Sequence, residues 1–285
     1  CTNLKTINFE DGITEITSGL FKDCTGVTEI SIPDTVNTIG TYAFANASNL
    51  TSVSIPDGVT EILNDTFLGC KNLRTVEIPD SVTAINYGAF SGCSKLASVK
   101  LPSNLQKLGT RAFGTCIALT EISIPISLND ASAPFSDCAN LKTINFEEGI
   151  TKIPHALFKD CTGISKIAIP DTVTIIGDVA FSGASNLESV IIPDGVIKIQ
   201  DNAFQNCVKL AAVEIPDSVT AIAYQAFSSC KNLTSVKLPN SLETLGTGAF
   251  QNCTSLTEVT IPASLNSTSQ PFADCSKLQT VHFEE

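Results

Sequence analysis

A phenylalanine returns along this chain at positions 21, 44, 67, 90, 113, 135, 158, 181, 204, 227, 250 and 272. The interval is 23 residues, shortened to 22 between 113 and 135 and again between 250 and 272. A fixed period of this length means that one small supersecondary unit recurs and stacks on its neighbours. The best-formed copy runs Leu50-x-x-Val53-x-Ile55-Pro56-Asp57-x-Val59-x-x-Ile62-x-x-x-x-Phe67-x-x-Cys70, and Ala usually precedes the Phe, as in Ala43-Phe44 and Ala89-Phe90.

A longer period overlies the first. Residues 1–137 align with 138–274, and 275–285 begin a third copy. The first fifty positions of the two long copies share 34 identities, as expected of a tandem duplication of a six-coil block. The 285 residues therefore read as one continuous solenoid, not as two globular domains. Neither end shows the atypical polar repeat that caps such arrays, so the array is expected to run beyond both. The chain opens Cys1-Thr2-Asn3-Leu4, and the lack of a leader there says nothing about secretion.

Each coil can be read locally. Val53 and Ile55 alternate with Ser52 and Ser54, so a short strand turns its apolar side inward and its serines outward. Pro56 ends that strand because it has no N–H for a ladder, and Asp57 suits the turn that follows. Val59-Thr60-Glu61-Ile62 reads as a second short extended segment, and Ala-Phe-x-x-Cys as one helical turn. A single coil holds too few apolar residues to offset the entropy of ordering it, so stability must come from stacking. Thirteen strand slots at the usual inter-strand spacing predict a parallel sheet about 60 Å long.

Composition narrows the function. With 17 Lys+Arg against 29 Asp+Glu the net charge is −12, which disfavours nucleic acid and anionic lipid. No run approaches the ~18–20 apolar residues of a membrane span. Only two histidines occur; His155 occupies a variable outer position and His282 a strand column, and neither sits in a nucleophile or metalloprotease motif. No catalytic residue, cofactor site or metal site is assigned. The acids after proline (Asp34, Asp57, Asp80, Asp171, Asp194, Asp217) supply one carboxylate per coil, too few for calcium, and read as turn residues. There are eleven cysteines, and all but Cys1 fall three residues after a Phe, with Ala47 and Ala184 in the two vacant slots. Alternation with Ala marks a small buried hydrophobe, so they read as free thiols and not as disulfides or metal ligands.

The unit Leu-x-x-Val/Ile-x-Ile-Pro-Asp-x-Val-Thr-x-Ile-x-x-x-Ala-Phe-x-x-Cys resembles the BspA-type leucine-rich repeat, over essentially the whole chain. The resemblance implies a right-handed curved stack of about 12 coils of 22–23 residues. The parallel sheet would line the concave face, with short extended segments and helical turns on the outer side. It also implies a secreted or cell-surface, non-enzymatic module that binds protein, possibly host matrix or cell-surface proteins, in the manner of an adhesin. A structural spacer or coat array without its own ligand, or an intracellular interaction scaffold, remains open beside it.

Two outward columns of the strand face are the candidate binding surface. The candidate positions are Glu29, Ser31, Ser52, Ser54, Thr75, Glu77, Ser98, Lys100, Glu121, Ser123, Lys166, Ser189, Glu214, Ser235, Lys237, Glu258 and Thr260. They are small, mostly neutral and free of aromatic rings. Glu77 beside Lys100, and Glu214 beside Lys237, are expected to form cross-strand ion pairs. The short coils at 126–135 and 263–272 replace the inward Ile by Ala131 or Thr268 and the Ala before Phe by Pro. They predict a thinner, irregular outer face once every six coils.

Overall fold

The computed structural model describes residues 1–10 and 12–284. Asp11 and Glu285, the last residue of the expected third copy, lie outside the described residues. The chain divides into two compact units, Cys1–Glu147 and Glu148–Glu285. Each is a parallel β-solenoid in which a residue pairs with its counterpart one coil later.

Every coil carries two extended segments. In the first unit the outward serines and their neighbours lie on Ser52–Ser54 and Thr75–Glu77, paired in register Ser52↔Thr75 and Ser54↔Glu77. Glu121–Ile124 pairs with Thr143–Phe146 in the same parallel sense. In the second unit Lys166–Ala168, Ser189–Ile191 and Ala212–Glu214 form one sheet. Ser235–Lys237, Glu258–Ile261 and Thr280–Phe283 form another. The expected long sheet is thus interrupted, and Ser98-Val99-Lys100 takes no part in a ladder. These strands are three or four residues long, most of them closed by proline, so each ladder rests on few hydrogen bonds and is easily interrupted.

The second extended segment builds the longer sheets. Glu61–Ile62, Ala84–Ile85, Lys107–Leu108 and Asp130–Ala131 form a four-stranded sheet in the first unit. Six such two-residue strands, from Lys152–Ile153 to Ser267–Thr268, form the sheet of the second. The inward Ile or Leu of this segment is buried in almost every coil.

The expected helical turn around Ala-Phe-x-x-Cys is not formed; no helix occurs among the described residues. Hydrogen bonding shows what replaces it. Ala43, Ala45 and Ala47 donate their N–H to the carbonyls of Gly40, Tyr42 and Phe44, three residues back. The alternate residues Tyr42, Phe44 and Asn46 donate instead to Asn64, Thr66 and Leu68 of the next coil, at 3.2, 2.9 and 2.6 Å. Half of the amides are therefore spent between coils, which an α-helix cannot allow because its amides bond within the helix. Two residues per coil also sit at positive φ, which breaks right-handed helicity. One column of these is Gly19, Tyr42, Asp65, Gly88, Arg111, continuing through Val179 and Gln225; the other is Asp23, Asn46, Gly69, Gly92, continuing through Asp160 and Asn206.

Inside, the Phe rings stack. From Phe44 to Phe67 to Phe90 to Phe113 the centroids are 5.4, 5.2 and 5.2 Å apart, within 7° of parallel. From Phe181 to Phe250 the spacings are 5.2, 5.1 and 5.2 Å. These exceed the ~4.8 Å between hydrogen-bonded strands, so within each unit the coils splay toward the rings. The short coils keep the stack at a cost in closeness: Phe113–Phe135 opens to 5.8 Å and Phe250–Phe272 to 5.7 Å. Pro134 and Pro271 still accept the N–H of Phe113 and Phe250. As prolines they have no N–H for the turn bond that Ala112 makes to Gly109.

All eleven cysteines are free. Nine are buried, Cys275 is half-buried and Cys1 exposed. The thiols of Cys70, Cys93, Cys116, Cys207 and Cys230 donate to the carbonyl of the Phe one coil earlier, at 3.2–3.4 Å. Burial pushes Cys70 and Cys230 up to about 12. It holds Cys93, Cys116 and Cys207 well above the ordinary thiol range as well.

Candidate binding face

The strands turn the candidate residues outward as the alternation required. Glu29, Ser31, Ser52, Ser54, Thr75, Glu77, Ser98, Lys100, Glu121 and Ser123 of the first unit are all exposed. In the second unit Lys166, Glu214, Ser235, Lys237 and Glu258 are exposed, while Ser189 and Thr260 are half-buried. Register aligns them into columns: Glu29 bridges to Ser52, Lys166 pairs with Ser189, and Lys237 pairs with Thr260.

The expected ion pairs do not close. Among the described residues neither Glu77–Lys100 nor Glu214–Lys237 comes within bonding distance, and the ion pair that forms is Arg111–Asp137 at 3.1 Å. Asp80 feels the Lys100 charge only weakly. That carboxyl is held below its ordinary range chiefly by the Ser103 amide and hydroxyl at 2.8 and 3.0 Å, with Lys100 a smaller contribution. Asp217 accepts the Asn240 amide in the same way. Asp80 and Asp217 thus serve the next coil's turn. Exposed side chains four bonds long gain little from pairing.

A shallow groove runs where the strands end. In the first unit it encloses about 420 Å³ between Ser31, Ser54, Pro56, Asp34 and Asp57. At the same place in the second unit it encloses about 290 Å³ between Glu214, Lys237, Pro216, Asp194 and Asp217. Ile191 stands on the second unit's strand face with 68% of its surface exposed. It pairs with Ala168 on one side and Glu214 on the other. Reading the columns for charge passed over this apolar centre, although its break in the polar pattern is visible in the sequence. The charged members of the face are three acids and one lysine in the first unit, against two of each in the second.

His155 and His282 are both exposed. No group of three or more His, Cys, Asp or Glu among the described residues could hold a metal ion. No helix is long and apolar enough to cross a membrane.

The chain belongs to the BspA type leucine rich repeat region family, whose model matches in six copies over residues 1–97, 60–188 and 174–285. A search of the curated proteins found no match. Among solved structures the chain is similar to a leucine rich cell surface protein from Faecalibacterium prausnitzii, with 26% identity and a TM-score of 0.54, covering 100% of this chain and 86% of that one. It is also similar to the pneumococcal vaccine antigen PcpA, with 21% identity and a TM-score of 0.57, covering 95% and 73%. A leucine-rich repeat protein from Bacteroides ovatus matches at 26% identity, covering 89% and 86%, with a TM-score of 0.46.

Proposed function

We propose that this chain is a non-enzymatic, adhesin-like protein-binding module displayed at a cell surface or secreted, with the strand face as its contact surface. One observation carries the reading. The coil interior is filled by apolar side chains, while the strand register holds a column of small polar and charged groups outward. Such a surface offers many similar weak contacts, and repetition converts weak contacts into useful affinity. The likeness to a cell surface protein of F. prausnitzii supports the location.

The test uses the full chain on surfaces coated with fibronectin, laminin or collagen, and on epithelial cells. At least one coat or cell type should retain it. The triple change Glu29→Lys, Glu77→Lys, Glu121→Lys inverts the charge of the first unit's face. It should alter affinity about tenfold, from roughly 0.5 kcal/mol per exposed charge. Binding that ignores the reversals removes the strand face from the reading, and no binding to any coat or cell favours a spacer.

A further inference from the structure

The outer side of the first unit carries a second, chemically different surface. Tyr42 and Tyr87 are exposed to 40% and 51%. Together with Asp65, Leu68, Gly88, Ser91 and Arg111 they line a cleft of about 240 Å³. A further cleft of about 290 Å³ lies on the other side of Tyr87, between Asn64, Asn86, Lys107 and Asp130. The Tyr87 ring is thus a wall shared by two adjoining depressions.

At the base of the first cleft is a carboxylate that water barely reaches. Asp65 is only 5% exposed. Burial raises its pKa, and it lies close enough to the Tyr42 hydroxyl to hold that phenol's proton on. Its carboxylate occupies the space a side chain at position 88 would fill, since a Cβ on Gly88 would stand 2.1 Å from Asp65 Oδ1. Arg111 forms the opposite rim, steadied by Asp137 at 3.1 Å.

The duplication supplies an internal comparison. Where the first unit has Tyr42, Asp65, Gly88 and Arg111, the second has Val179, Asn202, Gln225 and Gly248. The second unit closes the same ground with a ladder of amides: Gln205 donates to Gln225 at 2.9 Å, Gln225 to Gln251 at 3.0 Å, and Gln251 to Asp274 at 3.1 Å. The same backbone is therefore stable with the cleft filled, and nothing in the coil requires a buried acid beneath two exposed rings.

We propose that this outer surface binds a neutral oligosaccharide. Tyrosine rings present flat apolar faces with a polar tip, which suits the C–H face of a pyranose ring; the Lys22 ammonium stands over the Tyr42 ring at 5.2 Å, so Tyr87 is the open platform. A buried carboxylate accepts hydrogen bonds from hydroxyls, and a guanidinium donates to them. Asp65 and Asp137 balance Arg111 and Lys22 around the cleft, so it favours a neutral ligand over an ion of either sign. Each depression holds about one sugar ring, and two of them flanking Tyr87 call for at least a disaccharide.

The chain has no Trp and three Tyr, two of them here, so intrinsic tyrosine emission reports the site directly. The probes are cellotriose, maltotriose, mannotriose and N-acetylchitotriose, titrated into the full chain to about 10 mM, the range of weak single-site binding. At least one should give a saturable change. The double variant Asp65→Asn, Gly88→Gln installs the second unit's residues, which hold the same positive φ there. It should weaken binding at least roughly tenfold. Tyr87→Ala should do the same, and serves if the double variant does not fold; Tyr224→Phe should change nothing. The strand-face triple reversal should leave sugar binding intact, which separates this site from the protein-binding reading. No saturable response to any of the four sugars overturns the proposal, as does binding that survives both cleft variants. Capture of oligolysine with the sugars silent also overturns it, and reassigns the cleft to a cation.

Discussion

Each residue's role in a coil follows from which neighbour one coil away it meets. Most of the positive-φ residues before the cysteine or its alanine stand-in were readable: Asp23, Asn46, Gly69, Gly92, Asp137, Asp160, Gly183, Asn206, Asn252 and Asp274 are the types that tolerate left-handed backbone, whereas Thr115 and Ser229 are not. The other positive-φ column was not, because Tyr42, Arg111, Val179 and Gln225 occupy it as well, and for them the conformation is imposed by the stack. A β-branched residue is the worst suited of these. Val179→Gly should therefore stabilise the protein by about 1 kcal/mol, offset in part by the glycine's freedom when unfolded, and raise the melting temperature by about 1–3 °C. A fall in melting temperature would show that the Val179 side chain contributes more by packing than its backbone costs. The cysteines make a second prediction. A buried thiol raised from its ordinary 9.0 to about 12, as at Cys70, keeps its proton in the folded state while the unfolded chain loses it. Its stabilising effect is complete below pH 9 and declines as pH rises toward 12, at about 1.4 kcal/mol per pH unit for each such thiol. Melting temperature should thus fall steeply between pH 9 and 10.5, and a Cys-to-Ala series should flatten the decline step by step. A flat profile in the unmodified protein contradicts the buried column.

At the level of elements, periodicity located the segments but misjudged one of them. The strand, its closing proline and the second extended segment were legible because each depends on local alternation and on residues such as Pro56 with a single backbone meaning. The outer arch was not, since Ala89-Phe90 with Cys93 three residues on satisfies a helix pattern equally well. What decides the matter is the bonding of Tyr42, Phe44 and Asn46 to the next coil, which no single-coil pattern contains. The ion pairs failed for a different reason: Glu77 and Lys100 share a column, but both are exposed, and exposed charges gain little from closing a pair. The arch is held from within by the ring stack, and Phe204 and Phe227 lie at its centre with spacings of 5.2 and 5.1 Å. Removing one ring opens a cavity against two neighbours. Phe204→Ala should cost about 3–5 kcal/mol, read as a lower urea midpoint at an unchanged m-value. Phe204→Leu, which retains most of the volume, should cost markedly less. Equal losses in the two variants would mean that ring stacking, and not filled volume, is what the column contributes.

For the molecule as a whole, the repeat alone specifies the solenoid architecture, while the outer cleft stays hidden in it because Tyr42, Asp65 and Tyr87 lie at positions the repeat leaves variable. The whole-molecule question that remains is how a chain of net charge −12 tolerates its own acids. A dedicated cation is one solution, and stacked carboxylates invite it. The geometry points elsewhere. Calcium needs six to eight oxygens around one point, and among the described residues no group of three or more acidic or other ligating side chains converges. Asp80 and Asp217 already spend an oxygen on the amide of the following coil at 2.8 and 2.9 Å, and at Asp80 this favours the charged form without metal. The remaining repulsion is between exposed charges, and such repulsion is relieved by diffuse screening over a Debye length of about 10 Å at 0.1 M salt. Melting temperature should therefore rise gently with sodium chloride, and calcium chloride at matched ionic strength should give the same curve within about 1 °C. A calcium-specific rise of several degrees at low millimolar concentration, reversed by chelation, would establish a site that the carboxylate column does not display.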